Sequence, residues 1–173
     1  MVVREEFEKE LIKIHEMIIR MGVATQQSIS DAVQALVDFD VAMAEKVIAN
    51  DDIIDDMERD IDKACLQMIV KQQPVAADLR DAISTLKLIM DLERIADHAS
   101  DICEKVILLQ EYRDTMVIPA DVIRMSDYAK IMIKSALESY VSKNEEVAQT
   151  VVHMDDKVDA LYDKIKEYLI KRM

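Results

Sequence analysis

Two acids interrupt the most regular apolar stripe of the chain. In DLRDAISTLKLIMDLERIAD, residues 78–97, a heptad started at Leu79 puts Leu79, Leu86, Glu93 and Ser100 on one seam position and Ile83, Met90 and Asp97 on the other. Glu93 and Asp97 stand i, i+4, so a helix presents both on one face. A carboxylate in a core stripe is costly unless something pairs with it. A second pair, Asp51 and Asp55, sits in the stripe Ala44, Val47, Asp51, Asp55, Glu58, Ile61, Cys65, Met68. A third is Asp155 with Asp159, and Asp101 continues the i, i+4 ladder from Asp97. All-oxygen donors suit hard cations such as magnesium, calcium, manganese or iron, in a mononuclear or multinuclear site. The competing reading is an ordinary polar stripe that packing turns to solvent.

Helices must carry these acids. The 173 residues include one Gly, two Pro and no Trp, so breakers are scarce and connections short. The periodicity predicts an all-α fold with helices over 4–37, 41–72, 75–111, 119–142 and 144–172. Asp40 and Asn144 read as N-caps, and Pro74 and Pro119 as residues of a first helical turn. Gly22, inside the first helix, points to a close helix approach or to simple drift.

Short breaks imply antiparallel neighbours. Folding the second and third helices about Pro74 leaves Asp55 and Glu93 each 19 residues from it, and Asp51 and Asp97 each 23. The four acids therefore share one layer. Cys65 and Cys103 both read as buried thiols. They differ in height by roughly 30 Å, too far for a disulfide.

Several function classes fall away. The net charge of −13 excludes a basic face for nucleic acid. No apolar run reaches the ~20 residues of a membrane span, and Arg4, Glu5, Glu6, Glu8 and Glu10 do not make a signal peptide. A cytoplasmic protein is expected. One Gly cannot build a Gly-rich phosphate loop. Ile12, Ile95 and Thr150 lie three residues before His15, His98 and His153, so the Glu-x-x-His element of di-iron bundles is missing. His15 and His153 fit solvated faces, and His98 points about 100° from Asp97.

The chain also repeats itself. At an offset of 104, residues 21–61 and 125–165 share ten identities, among them Ala44/Ala148, Asp51/Asp155 and Asp55/Asp159, and Asp40 aligns with Asn144. A duplicated helical unit fits. Residues 1–112 would form a first three-helix bundle, and 119–173 the first two helices of a second. The counterparts of Glu93 and Asp97 would fall at positions 197 and 201, beyond residue 173. An uncovered apolar face on the last two helices, and with it a homo-oligomer, is expected.

The run QQPVAADLRDAISTLKLIMDLERIAD, residues 72–97, resembles the central motif of the PhoU family of phosphate-uptake regulators. Glu93 to Asp97 is similar to that family's E(D)-x-x-x-D segment. DDIIDDME at 51–58 and DDKVDALY at 155–162 are similar to the acidic segments of its preceding helices. Ala96 stands where the family usually has Gly. The resemblance implies tandem antiparallel three-helix bundles that bind metal through these acids. It also implies a non-catalytic role in damping phosphate uptake and phosphate-starvation signalling, through a phosphate ABC transporter and a sensor histidine kinase at the inner membrane face. The competing functions are a metal-dependent phosphoester hydrolase and a plain helical scaffold.

Overall fold

The computed structural model describes residues 2–172. They form an all-α helical bundle: α1 (Val2–Asp38), α2 (Val41–Gln72), α3 (Ala77–Leu109), a short 3₁₀ turn (Gln110–Tyr112), α4 (Ala120–Ser142) and α5 (Glu145–Ile170). The chain turns at the expected breaks, with one correction. Pro74 does not open α3. Gln73 (φ 47°) is left-handed and Ala76 (φ 48°) also takes a positive φ, so Pro74 sits in a tight connection and the helix begins at Ala77. Gln73 closes α2 by donating its N–H to the Ile69 carbonyl at 3.0 Å.

The α1–α2 and α4–α5 turns share their hydrogen bonds at the offset of 104. Asp40 N–H donates to Ala35 C=O, and Asn144 N–H to Ser139 C=O. Phe39 and Lys143 both adopt φ near 50° (52° and 54°). The Asp40 carboxylate accepts from Met43 N–H at 3.0 Å, and Asn144 Oδ1 from Val147 N–H at 3.3 Å. Such a cap satisfies a helical N–H that has no partner inside the helix, worth about 1 kcal/mol.

α1, α2 and α3 pack against one another, and α4 packs on α1 and on α5. The core centres on Ile18, Met21, Ile61, Met68, Ile89 and Val106, all buried. Each such side chain contributes about 1.5–3 kcal/mol by leaving water. Buried Thr25 keeps its hydroxyl satisfied by donating to Met21 C=O at 3.0 Å. Cys65 and Cys103 are buried and free, as expected.

The seam of α3 differs from the one read in the sequence. Its buried residues are Ala82, Thr85, Ile89, Leu92, Ala96, Ala99, Cys103 and Val106. That is also a 3-4 pattern, one position away from the Leu79 stripe. The set mixes small Ala82, Ala96 and Ala99, which allow close approach to the neighbouring helices, with Ile89, Leu92 and Val106, which fill the core between them. In α2 the core takes Ile54, and Asp55 is half-buried beside it.

Gly22 marks the close approach of α1 to α4. A Cβ there would lie 2.1 Å from Leu137 Cδ1. Beyond that crossing, burial fails: α5 has no buried residue. Ala44, Val47, Ile54 and Ile61 of α2 are buried, while Ala148, Val151, Val158 and Ile165, 104 residues later, are only half-buried. Leu169, opposite number of buried Cys65, is 48% exposed.

Candidate metal centre

α2 and α3 run antiparallel from the Pro74 connection, and the equal distances of Asp55 and Glu93 from it bring the acids level. One carboxylate oxygen from each of Asp55, Glu93 and Asp97 lies within 4.8 Å of the others. Asp55 and Glu93 are half-buried and Asp97 is exposed. Asp51 lies outside this group of three but near enough to be repelled by Asp97 and Asp55. Burial raises the Asp51 carboxyl above its ordinary range, and Asp97 and Asp55 push it further. Burial likewise raises Glu93, with Asp97, Glu58, Asp55 and Asp51 adding to it. Both shifts have one physical cause: negative charge is crowded where water is partly excluded.

Compensation from the protein is slight. Arg59 Nη1 stands 3.8 Å from Asp55, but its side chain is 63% exposed and its closer partner is Asp56 at 2.6 Å. Three to four carboxylates with one distant guanidinium form a hard, all-oxygen donor set that fits a divalent or trivalent cation. Asp55, Glu93, Asp97 and Asp51 would be its ligands, with Glu58 close by.

The remaining candidates lie apart. Asp101 faces solvent beside His98, 3.7 Å away. Each i, i+4 step turns about 40° around the helix, so the ladder has rotated out of the groove by Asp101. Asp155 and Asp159 are exposed on α5 and join no group of three potential ligands among the described residues. His153 is exposed as expected.

His15 is a correction. It is half-buried, not solvated, and meets Tyr140 edge to face with ring centroids 5.5 Å apart. Burial, then the Lys143 ammonium, holds its pKa below the ordinary value, against the pull of Asp81. Tyr140 OH donates to Asp81 C=O at 3.2 Å and lies 2.5 Å from Thr85 Oγ1. Lys143 pairs with the Asp81 carboxylate at 2.5 Å. This polar joint ties α4 to α1 and α3, and no sequence periodicity announces it.

The fold and the site define an all-α bundle of long helices with carboxylates clustered on its α2–α3 face. The family model described as PhoU domain matches residues 18–106 and 122–173. The chain belongs to the PhoU family, whose members are accessory and regulatory proteins rather than enzymes. It is 38% identical over 171 residues to the phosphate-specific transport system accessory protein PhoU homolog of Clostridium acetobutylicum, covering 98% of this chain and 78% of that one. The Aquifex aeolicus homolog is 36% identical over 162 residues, covering 94% and 73%. The crystal structure of PhoU from Pseudomonas aeruginosa superposes with a TM-score of 0.88 at 32% identity, covering 96% of this chain and 80% of that one. PhoU from Streptococcus pneumoniae, a phosphate transport system regulatory protein, gives 0.88 at 25% identity, with 96% and 78% covered.

Proposed function

We propose that this protein is a non-catalytic regulator of phosphate uptake and phosphate-starvation signalling that carries a hard cation on the acids of α2 and α3. The convergence of Asp55, Glu93 and Asp97 within 4.8 Å carries the metal half of this reading. Membership of a family of phosphate transport accessory proteins carries the other half. Iron, manganese, magnesium or calcium fits the donors, as a single ion or as a cluster that includes Asp51. When bound, the ion neutralises the carboxylates and fixes α2 against α3. Asp155 and Asp159 would bind a second ion only where another helix faces them.

The partners in this reading are a phosphate ABC transporter and a sensor histidine kinase, met at the inner membrane face by a cytoplasmic protein. No helix among the described residues is long and apolar enough to cross a membrane. Residues 1–112 act as one bundle, and 119–173 as part of a duplicated second unit. The half-covered α4–α5 face draws two copies together. Residues 120–173 carry nine basic against ten acidic side chains, so little charge repulsion opposes that contact.

Elemental analysis of protein purified without chelator tests the reading, alongside Glu93→Ala/Asp97→Ala. Stoichiometric metal that is lost in the double variant supports it. Metal-free protein in both cases would reduce the acids to a solvated stripe.

A further inference from the structure

The Leu79 stripe left out of the core has a surface of its own. On α3, Ile83 is 45% and Met90 56% exposed, with Leu79 and Leu86 half-buried between solvent and core. At 3-4 spacing this stripe runs straight into Glu93 and Asp97. α2 offers the same order of chemistry alongside. Leu66, 49% exposed, lies eleven residues after Asp55, about three turns on and on the same face, with half-buried Asp62 between them. The outer face of α2 and α3 is therefore, Asp62 apart, more apolar near the Pro74 connection and acidic at its far end, and the shallow groove between the two helices follows that order.

We infer that this groove is the docking surface for an amphipathic helix of a partner protein, apolar along one face and basic at one end. Apolar side chains at i, i+3/i+4 and i+7 would cover Leu79 to Met90, and Lys or Arg side chains would reach Glu93, Asp97 and Asp55. A span from Leu79 to Asp97 needs about 18–20 helical residues. A groove between two antiparallel helices takes a helix by ridge-into-groove packing. Charge selects the occupant. An anionic lipid surface is repelled by a chain of net charge −13. A second copy of this groove is repelled too, since residues 1–119 carry 25 acidic against 13 basic side chains. The partner's basic end and a metal ion need the same carboxylates, so the two compete. Only this competition rests on the cation reading above; docking itself is measured without metal.

The test is fluorescence anisotropy with a labelled 20-residue peptide carrying Leu at 3-4 spacing and four Lys in its last two turns. A scrambled isomer is the control. In EDTA the patterned peptide binds about tenfold tighter than the scrambled one, Ile83→Ser/Met90→Ser loses about tenfold, and Glu93→Gln/Asp97→Asn loses a comparable factor. Circular dichroism checks that each variant folds, which the exposure of Ile83, Met90 and Asp97 and the only partial burial of Glu93 favour. Saturating Mn²⁺ weakens binding to wild type and leaves the acid variant unchanged. Equal affinity for the scrambled peptide, no loss in Ile83→Ser/Met90→Ser, or capture of the protein by phosphatidylglycerol vesicles would overturn docking. Mn²⁺ found bound by elemental analysis yet without effect on the peptide would overturn competition. Absence of bound Mn²⁺ with the EDTA results intact would overturn the cation reading alone and support docking.

Discussion

Neutralising Asp97 should stabilise the metal-free protein and abolish its response to metal. Asp97→Asn keeps the size of the side chain and removes one charge from a cluster whose oxygens lie within 4.8 Å. At that separation two like charges repel by about 1 kcal/mol in water-like surroundings and about 3.5 kcal/mol at an effective dielectric of 20. Asp97 is exposed and Asp55 and Glu93 half-buried, so the lower figure applies to its pairs with Asp55 and with Glu93. Relief of about 1–2 kcal/mol raises Tm by about 2–8 °C for a chain of this size. Mn²⁺ at a hundredfold excess over its dissociation constant adds about 2.7 kcal/mol to wild type and little to the variant, so the order of stability reverses. The same reasoning fixes a pH dependence. Glu93 and Asp51 have raised folded-state pKa values, so the folded protein binds their protons more tightly than the unfolded chain does. Their ionisation costs stability above those values. In EDTA the cost is relieved as pH falls through the raised pKa values and is gone below the ordinary values of 4.5 and 3.8. Differential scanning calorimetry of both proteins, in EDTA and in Mn²⁺, reads all of this. A variant less stable than wild type in EDTA, or an equal response to Mn²⁺, would refute the repulsion account.

Four further outcomes follow from the packing. Gly22→Leu drives a side chain into Leu137; overpacking of about 1–3 kcal/mol outweighs the gain of about 1 kcal/mol in helix propensity, and urea unfolding should show the loss. Tyr140→Phe removes the bond to the Asp81 carbonyl and the contact with Thr85, costing about 1 kcal/mol in the same assay. His15 has a lowered folded-state pKa, so wild type should lose stability as pH falls below 6.5, where the unfolded chain takes up the proton first; His15→Phe should lack this decline, and the difference between the two proteins should be constant above pH 8. Burial, with smaller help from Asp62 and Asp31 respectively, lifts both the Cys65 and Cys103 thiols to about 11. Native protein should therefore be inert to a chromogenic disulfide reagent, and denatured protein should titrate two thiols.

Helix boundaries and caps were legible because they are local. Asp40 and Asn144 carry the side chains that capping requires, and the rare Pro and Gly punctuate little else. The level of the acids was legible as well, since counting from Pro74 needs only the rise of a helix. Seam choice was harder. Leu79, Ile83, Leu86 and Met90 keep the same 3-4 spacing as the buried seam, which holds Ile89, Leu92 and Val106 together with small Ala82, Thr85, Ala96 and Ala99. Hydropathy does not separate two stripes one position apart, because both carry large aliphatic residues, and close helix packing selects the one that also supplies the small ones. That single step moves Glu93 from the core to its margin. The joint of His15, Asp81, Thr85, Tyr140 and Lys143 was out of reach for another reason: Asp81 and Tyr140 are 59 residues apart and meet only because α4 crosses α1 at Gly22.

The lack of any buried residue on α5 has a consequence in time. α5 leans on α4, and α4 is fastened to the α1–α3 core through the Gly22 crossing and the Tyr140 joint. Opening α5 releases only half-buried side chains, so its backbone amides exchange with solvent through excursions smaller than global unfolding. Those of α1 and α3 around Ile18 and Ile89 exchange only when the whole bundle comes apart. One chain thus holds two clocks, a fast one at its C-terminal helix and a slow one at its centre.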